Sequence, residues 1–306
     1  MRVQTAIRAW VEVERGDSLR AISRATSFRS ARIGEKVWIF DTETSTDLTQ
    51  RLLYGFFRVY ANDALELEAI FYHDNLAVKD LETISRFARR ENLRMFSRSQ
   101  FVDLFYAECY ELGTLCVGAN LPFDLSRIAI HAGVGRGRNR RKFRFTLSEN
   151  PFQPKLRVEA ISGKGAFITF AIKNEPDEWR DKGPVFPGRF LDVLTLARAF
   201  TGEHHTLYTA GLRFGALPLK TRIETLGIVT PETLAYGRND VHATWALYEK
   251  LREEYAHHPF ASFENERNQP AWALPITRIL SSASIAKQYM KMMGFAASVR
   301  DDSEAE

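Results

Sequence analysis

The chain has 306 residues, of which 45% are hydrophobic and 26% charged, a balance that supports a full hydrophobic core and excludes a disordered or fibrous chain. No run of about 18 uncharged apolar residues occurs, and the opening "MRVQTAIRAWVEVERGDSL" is interrupted by charge too often for a secretory signal, so the expectation is a cytoplasmic protein with no membrane span. Two cysteines, Cys109 and Cys116, cannot make a four-cysteine zinc site or a disulfide framework and read as core residues.

In chain order, residues 1–36 mix Arg, Ser and acids without clear periodicity and read as an N-terminal extension. "KVWIFDTET" is a strand running into a turn. "RLLYGFFRVYA" and "ALELEAIFYH" are two further strands whose short Asn62-Asp63 link suits a hairpin. "VKDLETISRFARRENL" and "SRSQFVDLFYAECYELG" space their apolar residues by three and four, as amphipathic helices do. "TLCVGAN" reads as a short buried strand, and a helix opens in "LPFDLSRIAIHAG".

The middle of the chain changes character. "GRGRNRRKFR" carries Arg136, Arg138, Arg140, Arg141, Lys142 and Arg144 with no acid, which is either a solvated loop or an electrostatic footprint for nucleic-acid phosphates. "KLRVEAISGKGAFITFAIKN" alternates on both sides of "SGKG" and predicts a β-hairpin. "GRFLDVLTLARAFTG" reads as strand into helix, "TLYTAGLRFGA" as a short helix, and residues 230–256 as a long helix starting at Thr230 or Pro231. The closing "PITRILSSASIAKQYMKMMGF" predicts a helix with an apolar stripe at Ile276, Ile279, Leu280, Ala283, Ala286, Met290 and Met293. Together these elements predict an α/β domain over 37–260, with a basic loop and hairpin inserted at 134–188. A helical segment and an acidic tail fill 261–306. The central sheet is expected to be mixed, antiparallel on one side and parallel on the other.

Several acids fall where strands end or helices turn. Asp41 and Glu43 share a face at the end of the first strand, about 6–7 Å apart at Cα, and two like charges so placed call for a cation or for solvent. Asp124 follows a buried strand in "GANLPFD", with Asn120 four residues before it; Tyr236 and Asp240, also four apart, share a helical face in "YGRND". Singly, each has a plain explanation as a helix cap, a core edge or a surface charge. Asp192, in "RFLDVLTL", reads as a structural strand-end residue, and His242, two residues past Asp240, as structural on another helical face.

The joint order of "FDTET", "NLPFD" and "YGRND" resembles the DEDD superfamily of 3′–5′ exonucleases, in the subgroup with a tyrosine in the third motif. That subgroup includes the proofreading domains of family B DNA polymerases. The histidine subgroup would place its base at the position of Ala235. The resemblance implies a ribonuclease H-like mixed sheet with flanking helices and a β-hairpin insertion. It also implies hydrolysis of DNA phosphodiester bonds, with single-stranded 3′ ends preferred, by two Mg²⁺ or Mn²⁺ ions. Asp41, Glu43, Asp124 and Asp240 would be the metal ligands, and Tyr236 would orient the attacking water. Thr44, Asn120 and Phe123 match substrate-contacting positions, while Arg140, Arg141 and Lys142 would hold the strand. A polymerase or another replication or repair protein is the implied partner. Two alternatives stand beside this one: an RNA-trimming exonuclease of ribonuclease D type, and a nucleic-acid-binding module without turnover.

Overall fold

A computed structural model describes residues 36–134, 142–160, 165–171, 188–261, 270 and 272–295. The N-terminal extension up to residue 35, most of the basic run, including Arg140 and Arg141, the hairpin tip and the acidic tail lie outside the described residues.

Strands β1 (Lys36–Thr44), β2 (Leu52–Ala61) and β3 (Ala64–Tyr72) form the expected antiparallel meander. The β2–β3 turn is closed by Asn62 and Asp63, both at positive φ (50° and 64°), the conformation that a tight two-residue hairpin demands and that Asn and Asp tolerate best. Helix α1 (Val78–Arg90) leads into β4 (Arg94–Ser97), which pairs parallel with β3. Four residues with little alternation carried no strand signal, so β4 was not anticipated. Helix α2 (Arg98–Phe105) opens on a Ser97 capping box and runs on through a π-helical turn, Tyr106–Glu111. Strand β5 (Leu115–Gly118) lies parallel to β1 and is followed by α3 (Leu121–Arg127).

A second, four-stranded antiparallel sheet follows, of β6 (His131–Val134), β7 (Lys142–Thr146), β8 (Leu156–Ala160) and β9 (Ala166–Phe170). The hairpin β8–β9 was expected. The β6–β7 pair was not, because the cations of "RKFRFT" read as a solvated run and hid a period-2 pattern in which Phe145 turns into the core. The chain then returns to the main sheet as β10 (Phe190–Asp192), parallel to β5, giving the order β10-β5-β1-β2-β3-β4. The sheet is therefore mixed, as predicted, and helices α4 (Val193–Thr201), α5 (Leu207–Phe214), α6 (Pro231–Ala256) and α7 (Ser282–Met292) follow among the described residues. None of the described helices is long and apolar enough to cross a membrane.

Alternation along β1 divides the core. Val37 and Ile39 face α1, α4 and α6, whereas Trp38 and Phe40 face α2, α3 and the second sheet. On that second side Trp38 stacks on Phe57 at 4.7 Å and Phe71 on Phe101 at 3.9 Å. Cys109 and Cys116 are buried there as free thiols, as expected.

The C-terminal stripe is corrected. Residues Ile276–Arg278 form a 3-10 turn, and α7 begins only after the Ser281 cap, so the helical phase does not carry across the break. Ile276, Ile279 and Gln288 are buried, while Ala283, Ala286 and Met293 are exposed.

Candidate active site

Asp41 and Glu43 extend the β1 face that carries Val37 and Ile39, at the carboxyl end of the strand. There the hydrophobic face ends and the β1–β2 register slips between Glu43 and Thr44, a bulge of the kind that re-aims side chains beside a site. Thr230 caps α6, with Pro231 in its first turn. The helix brings Asp240 over the same strand end, and one carboxylate oxygen from each of Asp41, Glu43 and Asp240 lies within 4.8 Å of the others. Asp240 is buried and the other two are half-buried.

Asp124 arrives from the opposite face of the sheet on α3. Its Oδ1 accepts hydrogen bonds from the Thr42 backbone N–H (3.2 Å) and the Thr42 hydroxyl (2.6 Å), which ties α3 to β1 between the two other acids. Asp124 Oδ2 and Asp240 Oδ1 are both buried without a hydrogen-bond partner among the described residues. A buried carboxylate oxygen left unpaired costs free energy unless a cation or proton meets it.

These side chains line a cavity of about 570 Å³ that also takes in Thr42, Asn120, Phe123, Lys220 and Tyr236. Of the expected substrate-contacting residues, Asn120, in a left-handed conformation at the start of α3, and Phe123 stand in this wall. Thr44 is not part of the lining, and Lys142 lies on β7, paired with Glu159 at 3.1 Å and likewise outside it. Asp192 is structural, as predicted. It caps α4 by accepting from the Thr195 N–H (2.7 Å) and accepts from the Leu121 N–H (2.8 Å) at the head of α3.

Lys220 escaped sequence reasoning. Its ammonium donates to Asp240 Oδ2 and stands 4.8 Å from the centre of the Tyr236 ring. A lone lysine in an irregular segment has no local signature, because its acid partner lies twenty residues on. Gly237, inside "YGRND", was equally silent. A Cβ there would lie 3.2 Å from both Cγ and Oε1 of Glu43, so glycine allows α6 to approach β1 despite costing about 1 kcal/mol of helix propensity. Gly237→Ala is expected to push Glu43 aside while leaving secondary structure intact, and to weaken any Mn²⁺ binding that the wild type shows; calorimetric titration with Mn²⁺ beside a circular dichroism spectrum checks this.

The electrostatics follow from burial and crowding. Desolvation, then the charges of Asp124, Asp240 and Glu43, hold the Asp41 carboxyl well above the usual range. Desolvation and Asp240 push Glu43 up to about 7, with Lys220 opposing. Asp124 and Asp240 are also raised, chiefly by desolvation; the Thr42 hydrogen bonds oppose this at Asp124 and the Lys220 charge at Asp240. The Tyr236 phenol is raised by burial and is therefore protonated at neutral pH.

Behind the site, Glu68 on β3 anchors α6. Arg238 donates to both of its oxygens (2.9 and 2.7 Å), Arg58 to one of them (3.0 and 2.8 Å), and His242 Nε2 lies 2.9 Å from the same carboxylate. Arg238 also bonds Glu91 at 2.8 Å. His242 is thus structural, as predicted, on a different face of α6 from Asp240.

No family model matches the chain, and no curated protein matches it.

Proposed function

We propose that this chain is a metal-dependent 3′–5′ exonuclease of ribonuclease H-like fold, hydrolysing DNA from single-stranded 3′ ends. The observation that carries this reading is the convergence of Asp41, Glu43 and Asp240 within 4.8 Å, from strand and helix almost 200 residues apart, in a cavity whose wall also holds Asp124 and Tyr236. The two unpaired buried oxygens fit divalent cations, and an all-oxygen, all-carboxylate donor set suits hard ions such as Mg²⁺ or Mn²⁺.

Asp41, Glu43 and Asp240 would hold the ions, with the free Oδ2 of Asp124 available from the other side of β1. Divalent ions held there would make water more acidic and would stabilise the negative charge that develops as the 3′ oxygen leaves. The protein's own groups do the rest. Tyr236, protonated, acts on the attacking water through a hydrogen bond rather than as a base. Lys220 offsets part of the desolvation of Asp240 by its charge and restrains Tyr236 through the ring contact. Phe123 offers an aromatic face for a terminal base, and Asn120 an amide for sugar or phosphate oxygens.

A time course on 3′- and 5′-labelled single-stranded DNA and RNA of one sequence, with Mg²⁺, Mn²⁺ or EDTA, tests the proposal. The expected result is a metal-dependent ladder from the 3′ end, faster on DNA. A faster ladder on RNA would move the substrate to the trimming class, and no cleavage by folded protein under either metal would overturn the nuclease.

A further inference from the structure

Helix α3 faces two hollows. Phe123 and Asp124 line the catalytic cavity; Ser126 and Arg127, one turn further on, line a separate open groove of about 760 Å³. Between the two, the Arg127 guanidinium lies 4.8 Å from the centre of the Phe123 ring. Residues four apart on a helix are neighbours, with a rise of about 6 Å between them.

The groove is cationic. Among the described residues Arg51, Arg98 and Arg127 line it, beside His73 and against one acid, Asp47. Asp47 is occupied by the Thr49 N–H at 2.7 Å and hydroxyl. Arg98 is matched by Asp74 at 3.0 Å and also donates to the carbonyls of Ile128 and Leu147. Arg127 donates to the Gln50 carbonyl (3.0 Å) and the Ser126 hydroxyl (2.9 Å), but no acid pairs with it or with Arg51 among the described residues. Two guanidiniums without a counter-ion, one of them lying over an aromatic ring in the cavity wall, are arranged for polyanion binding.

We infer that the Arg51–Arg127 groove binds the phosphates of a single nucleic-acid strand on the 5′ side of the bond that the catalytic cavity would cleave. The inference rests on the exonuclease reading for its polarity, and it assigns the strand-holding role to cations other than those of the 136–144 run. A strand whose last base lies on Phe123 passes Arg127 next and Arg51 after it. Contacts of this kind are to backbone, so they hold any sequence alike.

The test is fluorescence anisotropy of a 5′-labelled oligothymidylate long enough to span both hollows, titrated in EDTA with wild type, Arg51→Ala, Arg51→Lys and the Arg51→Ala/Arg127→Ala double variant. Each lost single-strand phosphate contact removes about 0.7 from the log–log salt slope, so the double variant should lose about 1.4 and bind about tenfold more weakly at low salt. Arg51→Lys, which keeps the charge, should restore the slope. A double variant that folds by circular dichroism and binds with wild-type slope overturns the groove. Hydrolysis of thymidine 5′-(4-nitrophenyl phosphate), which has no upstream phosphate, separates the two proposals. Wild-type turnover of it with an unchanged double-variant slope fails the groove alone; no turnover with a groove-dependent slope fails the exonuclease and leaves a single-strand binding site.

Discussion

Asp41→Asn is expected to abolish metal-dependent cleavage and at the same time to raise the thermal stability of the metal-free protein at neutral pH. The first effect follows from removing the acid at the centre of the cluster. Residues that merely orient metal ligands are typically worth about 10–100-fold, so losing Asp41 in the proposed ligand role should cost more than about 100-fold in rate. The second follows from the neighbours: Asp124, Asp240 and Glu43 each disfavour the charge on Asp41. Deleting that charge while keeping the shape removes repulsion and desolvation together. For a domain of this size each 1 kcal/mol gained shifts Tm by about 2–4 °C. Paired measurements of nuclease rate and of melting in EDTA check both halves. A variant less stable than wild type in EDTA would mean that the carboxylates are not in conflict, and retained turnover would remove Asp41 from the site.

The wild-type protein in EDTA should lose stability as pH rises from about 4.5 to about 7. Glu43 titrates near 4.5 in the unfolded chain and near 7 in the fold. Between those values the folded state holds the proton and the unfolded state does not, so raising pH favours unfolding. Two to three units correspond to about 3 kcal/mol, with the raised carboxyls of Asp41, Asp124 and Asp240 acting in the same direction. Mg²⁺ or Mn²⁺ should reverse the loss at pH 8, above the value near 7 at which Glu43 titrates, and do less at pH 5, where Glu43 holds its proton. Melting curves at the two pH values with and without metal give the answer; a metal shift of equal size at both would show that the ions bind elsewhere.

The meander, the major helices and the hairpin β8–β9 were legible because each has a local period and local punctuation, such as Asn62-Asp63 between β2 and β3 or Thr230-Pro231 before α6. The four acids and Tyr236 were legible as an ordered set of short motifs, and the structure brings them into one cavity wall. Lys220, Thr42 and the Arg51–Arg127 groove were not legible, since each depends on a partner that only the fold supplies: Asp240 for Lys220, Asp124 for Thr42, and the Phe123 ring for Arg127. The C-terminal stripe misled for a related reason. Apolar spacing says which residues share a face only if the helix is continuous, and the 3-10 turn at Ile276–Arg278 interrupts it.

The Glu68 anchor has a thermodynamic meaning for the acids on the near side of α6. Tyr236 and Asp240 are separated from Arg238 and His242 by two residues, or about 200° around the helix. The helix is therefore gripped from behind by Arg238 and His242 while it presents Asp240 to Asp41 and Glu43. A loosely held helix would drift outward until its carboxylate found water, and the repulsion would dissipate as motion. Held in place, the acids stay in conflict, and the preorganised fold keeps that conflict in reserve as affinity for whatever positive charge arrives.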